Sequence, residues 1–197
     1  GGSDWRKAIV IRTNDKTVVE DTLIDLKFTG IAWKGNEGFY YSSYDKPKGS
    51  ELSSKTQHHK LFYHKLGTPQ KTDKLIFGGE ETPRRYIGAG LTEDERFLIV
   101  SAAESTTGNE LYIQDLHDAA GKLVAFVTGF ESDNNVIDND GSRILIQTNL
   151  NAPNNRIVVT DFSKPAVTNW KDIIAENDYA LQGVSTAGKN LFVNYLK

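Results

Sequence analysis

Three groups of residues in the 197-residue chain have types and spacings that could do chemistry. Gly183-Val184-Ser185-Thr186-Ala187 comes nearest to a hydrolase nucleophile elbow, in which a serine stands on a sharp strand-to-helix turn beside an oxyanion hole. It lacks the closing glycine, and an apolar alternation follows it where a helix would be needed, so it reads as part of a hairpin. His58, His59 and His64, three of the four histidines, could serve as metal ligands. On a strand His64 shares a face with Phe62, whereas His58 and His59 fall in the preceding loop. No fourth ligand or outer partner is signalled, so all three read as structural or solvent-facing. Asp133, Asp138 and Asp140 with Asn134, Asn135 and Asn139 have the composition of a calcium loop without its turn glycine or its closing bidentate glutamate. Asn and Asp tolerate left-handed backbone and bond their own main chain, so turn chemistry accounts for the cluster. Neither a metal nor a cofactor is expected, and no catalytic residue is nominated.

Composition narrows the classes further. Lys and Arg number 23 against 26 Asp and Glu, a net charge of −3 with no basic stripe, so the electrostatic footprint of a nucleic-acid binder is missing. The absence of cysteine excludes disulfides, thiolate zinc sites and cysteine nucleophiles. No apolar run approaches the roughly 18 residues of a helical membrane span. No nucleic-acid or membrane partner is expected. With neither an initiator methionine nor a signal-like segment at Gly1, the chain reads as a portion of a longer frame.

The elements that must position these residues are strands. Apolar runs of four to six residues are punctuated by Gly, Asn, Asp and Pro, and helical periodicity is nearly absent. One hairpin design recurs four times: Gly30–Trp33 with Phe39–Tyr41, Gly88–Leu91 with Phe97–Val100, Asn135–Ile137 with Ile144–Ile146, and Leu181–Val184 with Leu191–Val193. A second design fills the gaps, and its N-terminal copy pairs Ala8–Ile11 with Thr17–Val19. Recurrence at this period is the signature of propeller blades, and a two-sheet sandwich, the alternative, has no reason to repeat. The expected architecture is all-β, a β-propeller fragment of about four blades of four antiparallel strands. It divides into a half blade at 1–27 (strands 3-4), full blades at 28–80, 87–128 and 134–175, and a half blade at 180–197 (strands 1-2). Unpaired apolar edges are an aggregation hazard, so the terminal halves are expected to pair, within one chain or between two.

Five colinear strings resemble one family: Gly2-Ser3-Asp4-Trp5, Phe28-Thr29-Gly30-Ile31-Ala32-Trp33, Phe39-Tyr40-Tyr41-Ser42-Ser43-Tyr44-Asp45, His59 to Thr68, and Thr148-Asn149 through Ala152-Pro153-Asn154-Asn155-Arg156. The chain is similar in these to the propeller of bacterial prolyl oligopeptidases. That resemblance implies a serine peptidase with an α/β-hydrolase domain and a seven-bladed propeller lid, which admits short peptides and cleaves after proline. It further implies that the chain is a portion of the lid, inactive alone, with the catalytic domain, the remaining blades and short proline-containing peptides as partners. The resembled bacterial enzymes are periplasmic or cytoplasmic. A free-standing propeller-like binding module without a peptidase is the alternative.

In an antiparallel blade the start of strand 1 and the strand 2-3 connection lie at one end. Phe28 and Ile87, expected to precede first strands, and Thr106, in a strand 2-3 loop, are therefore expected around one mouth of the tunnel. In the resembled family the matching positions line the substrate pocket, which makes Phe28, Ile87 and Thr106 the expected substrate-binding residues. Ala103 stands where the family commonly carries a substrate-holding arginine, a departure from its pattern. The Lys-, Ser- and Gly-rich stretch from Asp45 to His58 reads as a solvated, mobile loop on the same face.

Overall fold

The structure, a computed structural model, describes residues 4–19, 22–45 and 56–197. Most of the loop expected between Asp45 and His58 lies outside the described residues. The strands are β1 (Arg6–Ala8), β2 (Leu23–Leu26), β3 (Ile31–Lys34), β4 (Gly38–Ser43), β5 (Lys60–Lys65), β6 (Lys74–Gly78), β7 (Tyr86–Leu91), β8 (Phe97–Ala103), β9 (Glu110–Asp115), β10 (Val124–Val127), β11 (Asn134–Asp140), β12 (Arg143–Thr148), β13 (Arg156–Asp161), β14 (Lys171–Ile174), β15 (Ala180–Ala187) and β16 (Asn190–Leu196). Helix is confined, among the described residues, to the 3-10 turns Gln70–Thr72 and Val167–Asn169, and no helix is long and apolar enough to cross a membrane. The fold class is the expected one. Along the chain, three four-stranded sheets, β3-β4-β5-β6, β7-β8-β9-β10 and β11-β12-β13-β14, follow the two-stranded sheet β1-β2 and precede the two-stranded sheet β15-β16.

Burial follows strand rank. The second strand of a blade has neighbours on both sides, and β4 is buried at every residue. In β8 and β12 the period of two survives, with Val100 and Ala102, and Ile144, Ile146 and Thr148, turned inward. By contact the chain forms two compact units, residues 1–90 and 91–197. The first is cored by Leu23, Leu26, Phe39 and Tyr41, joined by Phe62 and Leu66. The second has a larger core in which Phe97, Leu111, Ile113, Phe126, Ile144, Ile146 and Val158 interdigitate, with Phe162 and Trp170 at its margin. At about 25 cal/mol per Å² of apolar area, such burial is the main favourable term holding the blades.

Several expectations are corrected. The N-terminal ladder joins Arg6 to Leu26 and Ala8 to Leu23, and the expected pairing of Ala8–Ile11 with Thr17–Val19 shrinks to a bridge between Ile11 and Val18. Burial decides this, because Leu23 and Leu26 are 1% and 2% exposed whereas Ile11 and Val18 are 53% and 62% exposed. Asn139 and Asp140 continue β11, and only Gly141, at φ 63, and Ser142 turn the chain. Ile87 lies inside β7 and does not precede it. The terminal pairs β1-β2 and β15-β16 are two separate two-stranded sheets.

Candidate functional site

Phe28 sits between β2 and β3 with its backbone in the left-handed region at φ 51, and Asp25 three residues earlier is at φ 58. A bulky residue there is strained by about 1 to 3 kcal/mol and persists only where its surroundings over-determine it. They do so from three directions. The Lys27 carbonyl accepts from His59 Nε2 at 3.1 Å, the Ser42 N–H donates to Thr29 Oγ1 at 2.7 Å, and Ser43 Oγ donates to the Asp25 carbonyl. Held this way, the Phe28 ring is 48% exposed and meets Tyr44 and Tyr86 edge-on, with centroids 6.2 and 6.1 Å away. The Lys27 ammonium lies 5.2 Å from the Phe28 ring centre and 5.2 Å from that of Trp5, a cation–π arrangement on both sides.

His59, immediately before β5, links this loop to the next blade. Its ring is buried and stacked on Tyr44 at 4.3 Å. Nδ1 accepts the Ile87 N–H at 2.8 Å, so that nitrogen carries no proton, and Nε2 carries one and donates it to Lys27. Burial pulls the imidazole down to about 4, the Lys27 carbonyl opposing the shift. Burial also pushes the Tyr44 phenol up to about 12, with the neighbouring Tyr86 adding to it. Ser42 Oγ donates to the Ile87 carbonyl at 2.8 Å, so side chains of the preceding blade hold both main-chain groups of Ile87. Gly78 makes room for this, since a β-carbon there would stand 2.3 Å from the His59 carbonyl oxygen and 2.4 Å from Ile87 Cδ1.

Of the expected substrate residues, Phe28 and Ile87 are thus tied together through one imidazole, the first with an open ring face and the second with its side chain 2% exposed. Thr106 belongs to the other unit, exposed in the connection from β8 to β9, and Ala103 ends β8. Ser185 lies mid-strand in β15 opposite Phe192, in a hairpin and not at a strand-to-helix turn. Asp133 accepts from the Gly108 N–H and from Asn149, Asp138 from the Glu93 N–H, and Asp140 pairs with Arg143, so their carboxylates are directed to separate partners. Among the described residues no three His, Asp or Glu side chains are grouped to hold a metal.

His64 has a different role from His59. Its Nδ1 and the Tyr41 hydroxyl both meet the buried Asp73 carboxylate, at 2.8 Å each, while Nε2 is buried with no hydrogen-bond partner among the described residues. Nearby, the Gln70 carboxamide accepts the Ile24 N–H at 3.0 Å and donates to the Ile24 carbonyl at 2.9 Å, as a strand residue would.

Sequence reasoning missed the clamp at His59 and its counterparts. Asn109 immediately precedes β9, and its Oδ1 accepts the Asn134 N–H at 2.7 Å while its Nδ2 donates to the Asn134 carbonyl at 3.0 Å. Asn155 immediately precedes β13 and donates to the Leu181 carbonyl at 3.1 Å. In each full blade, then, the residue before the third strand fastens the first strand of the next. The available signal is a His or Asn, a charged residue, then an apolar alternation: His59-Lys60-Leu61, Asn109-Glu110-Leu111 and Asn155-Arg156-Ile157.

The family model for the prolyl oligopeptidase N-terminal beta-propeller domain matches residues 1–197. A prolyl endopeptidase from Elizabethkingia meningoseptica is 50% identical over the whole chain, which spans 28% of that protein's length. The dual function macrocyclase-peptidase POPB of Galerina marginata is 31% identical over 87% of the chain and 24% of its own length. A structure from a mechanistic study of two prolyl endopeptidases, concerned with inter-domain dynamics, superposes on the entire chain with a TM-score of 0.88 at 27% identity and is covered over 28% of its length. The Galerina marginata prolyl oligopeptidase B, bound to a 35mer hydrolysis and macrocyclization substrate, matches 98% of the chain and 29% of its own, with a TM-score of 0.83 at 26% identity.

Proposed function

Because this chain belongs to the prolyl oligopeptidase family, as a portion of its N-terminal β-propeller, we propose that it is the non-catalytic, substrate-gating part of a serine endopeptidase that cleaves short peptides after proline. The match of the family model over all 197 residues carries this reading, together with coverage of only 28% of the relatives' length. Peptide enters past the propeller, the partner α/β-hydrolase domain performs acyl transfer, and the propeller contributes shape and apolar contact. Phe28 offers the half-exposed aromatic face for that contact, and Ile87 sets the strand beside it.

Two measurements test the reading. The purified chain is expected to give no turnover of a post-proline chromogenic peptide above a buffer blank, since acyl transfer needs an activated nucleophile, base and oxyanion hole in one constellation. Turnover that survives repurification overturns this. In the full-length enzyme, Phe28→Ala is expected to raise KM through loss of about 1 to 3 kcal/mol of apolar contact, with melting little changed. A lowered melting temperature with unchanged KM would assign Phe28 to packing alone.

A further inference from the structure

We propose that His59 is a positioning residue for substrate: its two ring nitrogens, one on the main chain before Phe28 and one on the main chain of Ile87, hold both in a single register. This rests on the reading above that Phe28 meets peptide. Three observations separate the role from ordinary blade packing. First, Asn109 and Asn155 occupy the equivalent place and direct their amides forward, to Asn134 and Leu181. Asn109 also donates to Ser101 Oγ within its own blade, but of the three only His59 reaches the main chain of the loop that enters its blade, at the Lys27 carbonyl adjoining the residue at φ 51. Second, the neutral imidazole carries one accepting and one donating nitrogen on a rigid ring, which suits one N–H target, at Ile87, and one carbonyl target, at Lys27. Third, the rings form a closed circuit. His59 stacks on Tyr44, Tyr44 meets Phe28, Phe28 meets Tyr86, and the residue after Tyr86 returns a hydrogen bond to His59. Displacing the imidazole therefore releases the Phe28 ring without touching it.

The test uses two substitutions that each keep one arm. In His59→Asn the amide oxygen falls near Nδ1 and keeps the Ile87 arm, while in His59→Gln the amide nitrogen falls near Nε2 and keeps the Lys27 arm. In the full-length enzyme, with a short post-proline chromogenic peptide, His59→Asn is expected to raise KM about fivefold with kcat unchanged, somewhat less than Phe28→Ala at about tenfold. His59→Gln should recover most of that loss. In a Phe28→Ala background, His59→Asn should add less than about twofold, because both changes remove one positioned ring. Additive effects, or a His59→Gln variant as impaired as His59→Asn, overturn the proposal while leaving the substrate reading intact. A Phe28→Ala enzyme with normal KM overturns both. Should the variants fold poorly, ring-15N spectra of the unmodified enzyme decide: a neutral His59 protonated at Nε2 supports the proposal, and one protonated at Nδ1 overturns it.

Discussion

Asn109 and His59 stand at the same place in successive blades, each just before a third strand, yet their polar atoms go to different targets. Asn109 grips the N–H and the carbonyl of Asn134, and Asn134 answers through its own amide to the carbonyls of Asn109 and Ser132. The result is a closed knot of uncharged groups, all buried. His59 divides its hold between Ile87 and Lys27, and Ser42 supplies the missing bond to the Ile87 carbonyl. The surroundings differ in the same sense. The second unit packs mostly aliphatic side chains around one ring cluster of Phe97, Phe126 and Phe162, whereas the blade β3–β6 carries paired rings along its strands, Trp33 on Phe39, Tyr40 on Tyr63 and Tyr41 on Phe62. One fastener joins its blade to the next and to its own second strand; the other joins blades and also fixes a strained loop, and it does so with a group that titrates.

Breaking the knot outright should have the largest effect. Asn109→Leu strips two buried main-chain groups of Asn134 of their partners, and at about 1 to 3 kcal/mol each the loss should total about 3 to 5 kcal/mol. Urea unfolding followed by tryptophan fluorescence would report it, and a loss under about 1 kcal/mol would show that the knot adds little. Acid should act on the other fastener. His59 binds its proton with a pKa of about 4 when folded and about 6.5 when unfolded, so the unfolded chain takes up more protons between these values. The contribution is full above about pH 6.5 and lost as pH falls towards 4, amounting to about 3 kcal/mol. Comparing unfolding midpoints at the two pH values should reveal this in the native chain and show it diminished in His59→Asn. At neutral pH, His59→Asn itself should cost less, about 1 to 2 kcal/mol, for one hydrogen bond and the ring stack on Tyr44. Asn155→Ala should be mildest, about 1 kcal/mol, because the Leu181 N–H keeps its bond to the Asn154 carbonyl when the side chain goes. A melting shift as large as that of Asn109→Leu would dissolve the ranking.

Much of this was legible beforehand. Runs such as Phe97-Leu98-Ile99-Val100 and Ile144-Leu145-Ile146 announce strands through β-branched and aromatic residues at short spacing, and both lie in β8 and β12. The N-terminal ladder was misplaced because Ile9, Ile11, Val18 and Val19 look like core but are 43% to 62% exposed, a matter of tertiary neighbours and not of composition. Phe28 is singled out only by likeness to a family, and nothing local announces its φ of 51, which is imposed by partners at Ser42, Ser43 and His59. His59 was placed correctly in a loop and its use was missed, since its two partners lie 32 and 28 residues away on either side. A polar side chain that bonds only main chain leaves no complementary residue to recognise.

The carboxamide of Gln70 has a mechanical consequence. Tension on the N-terminus would peel the β1-β2 ladder one rung at a time, like a zipper, until it reached Ile24. There the pull meets both bonds of Gln70 at once, loaded in parallel, and passes on through the Tyr41 hydroxyl to Asp73 and the buried His64. The end of the chain should thus give way softly and then stiffen abruptly, with the catch formed by a side chain in a 3-10 turn.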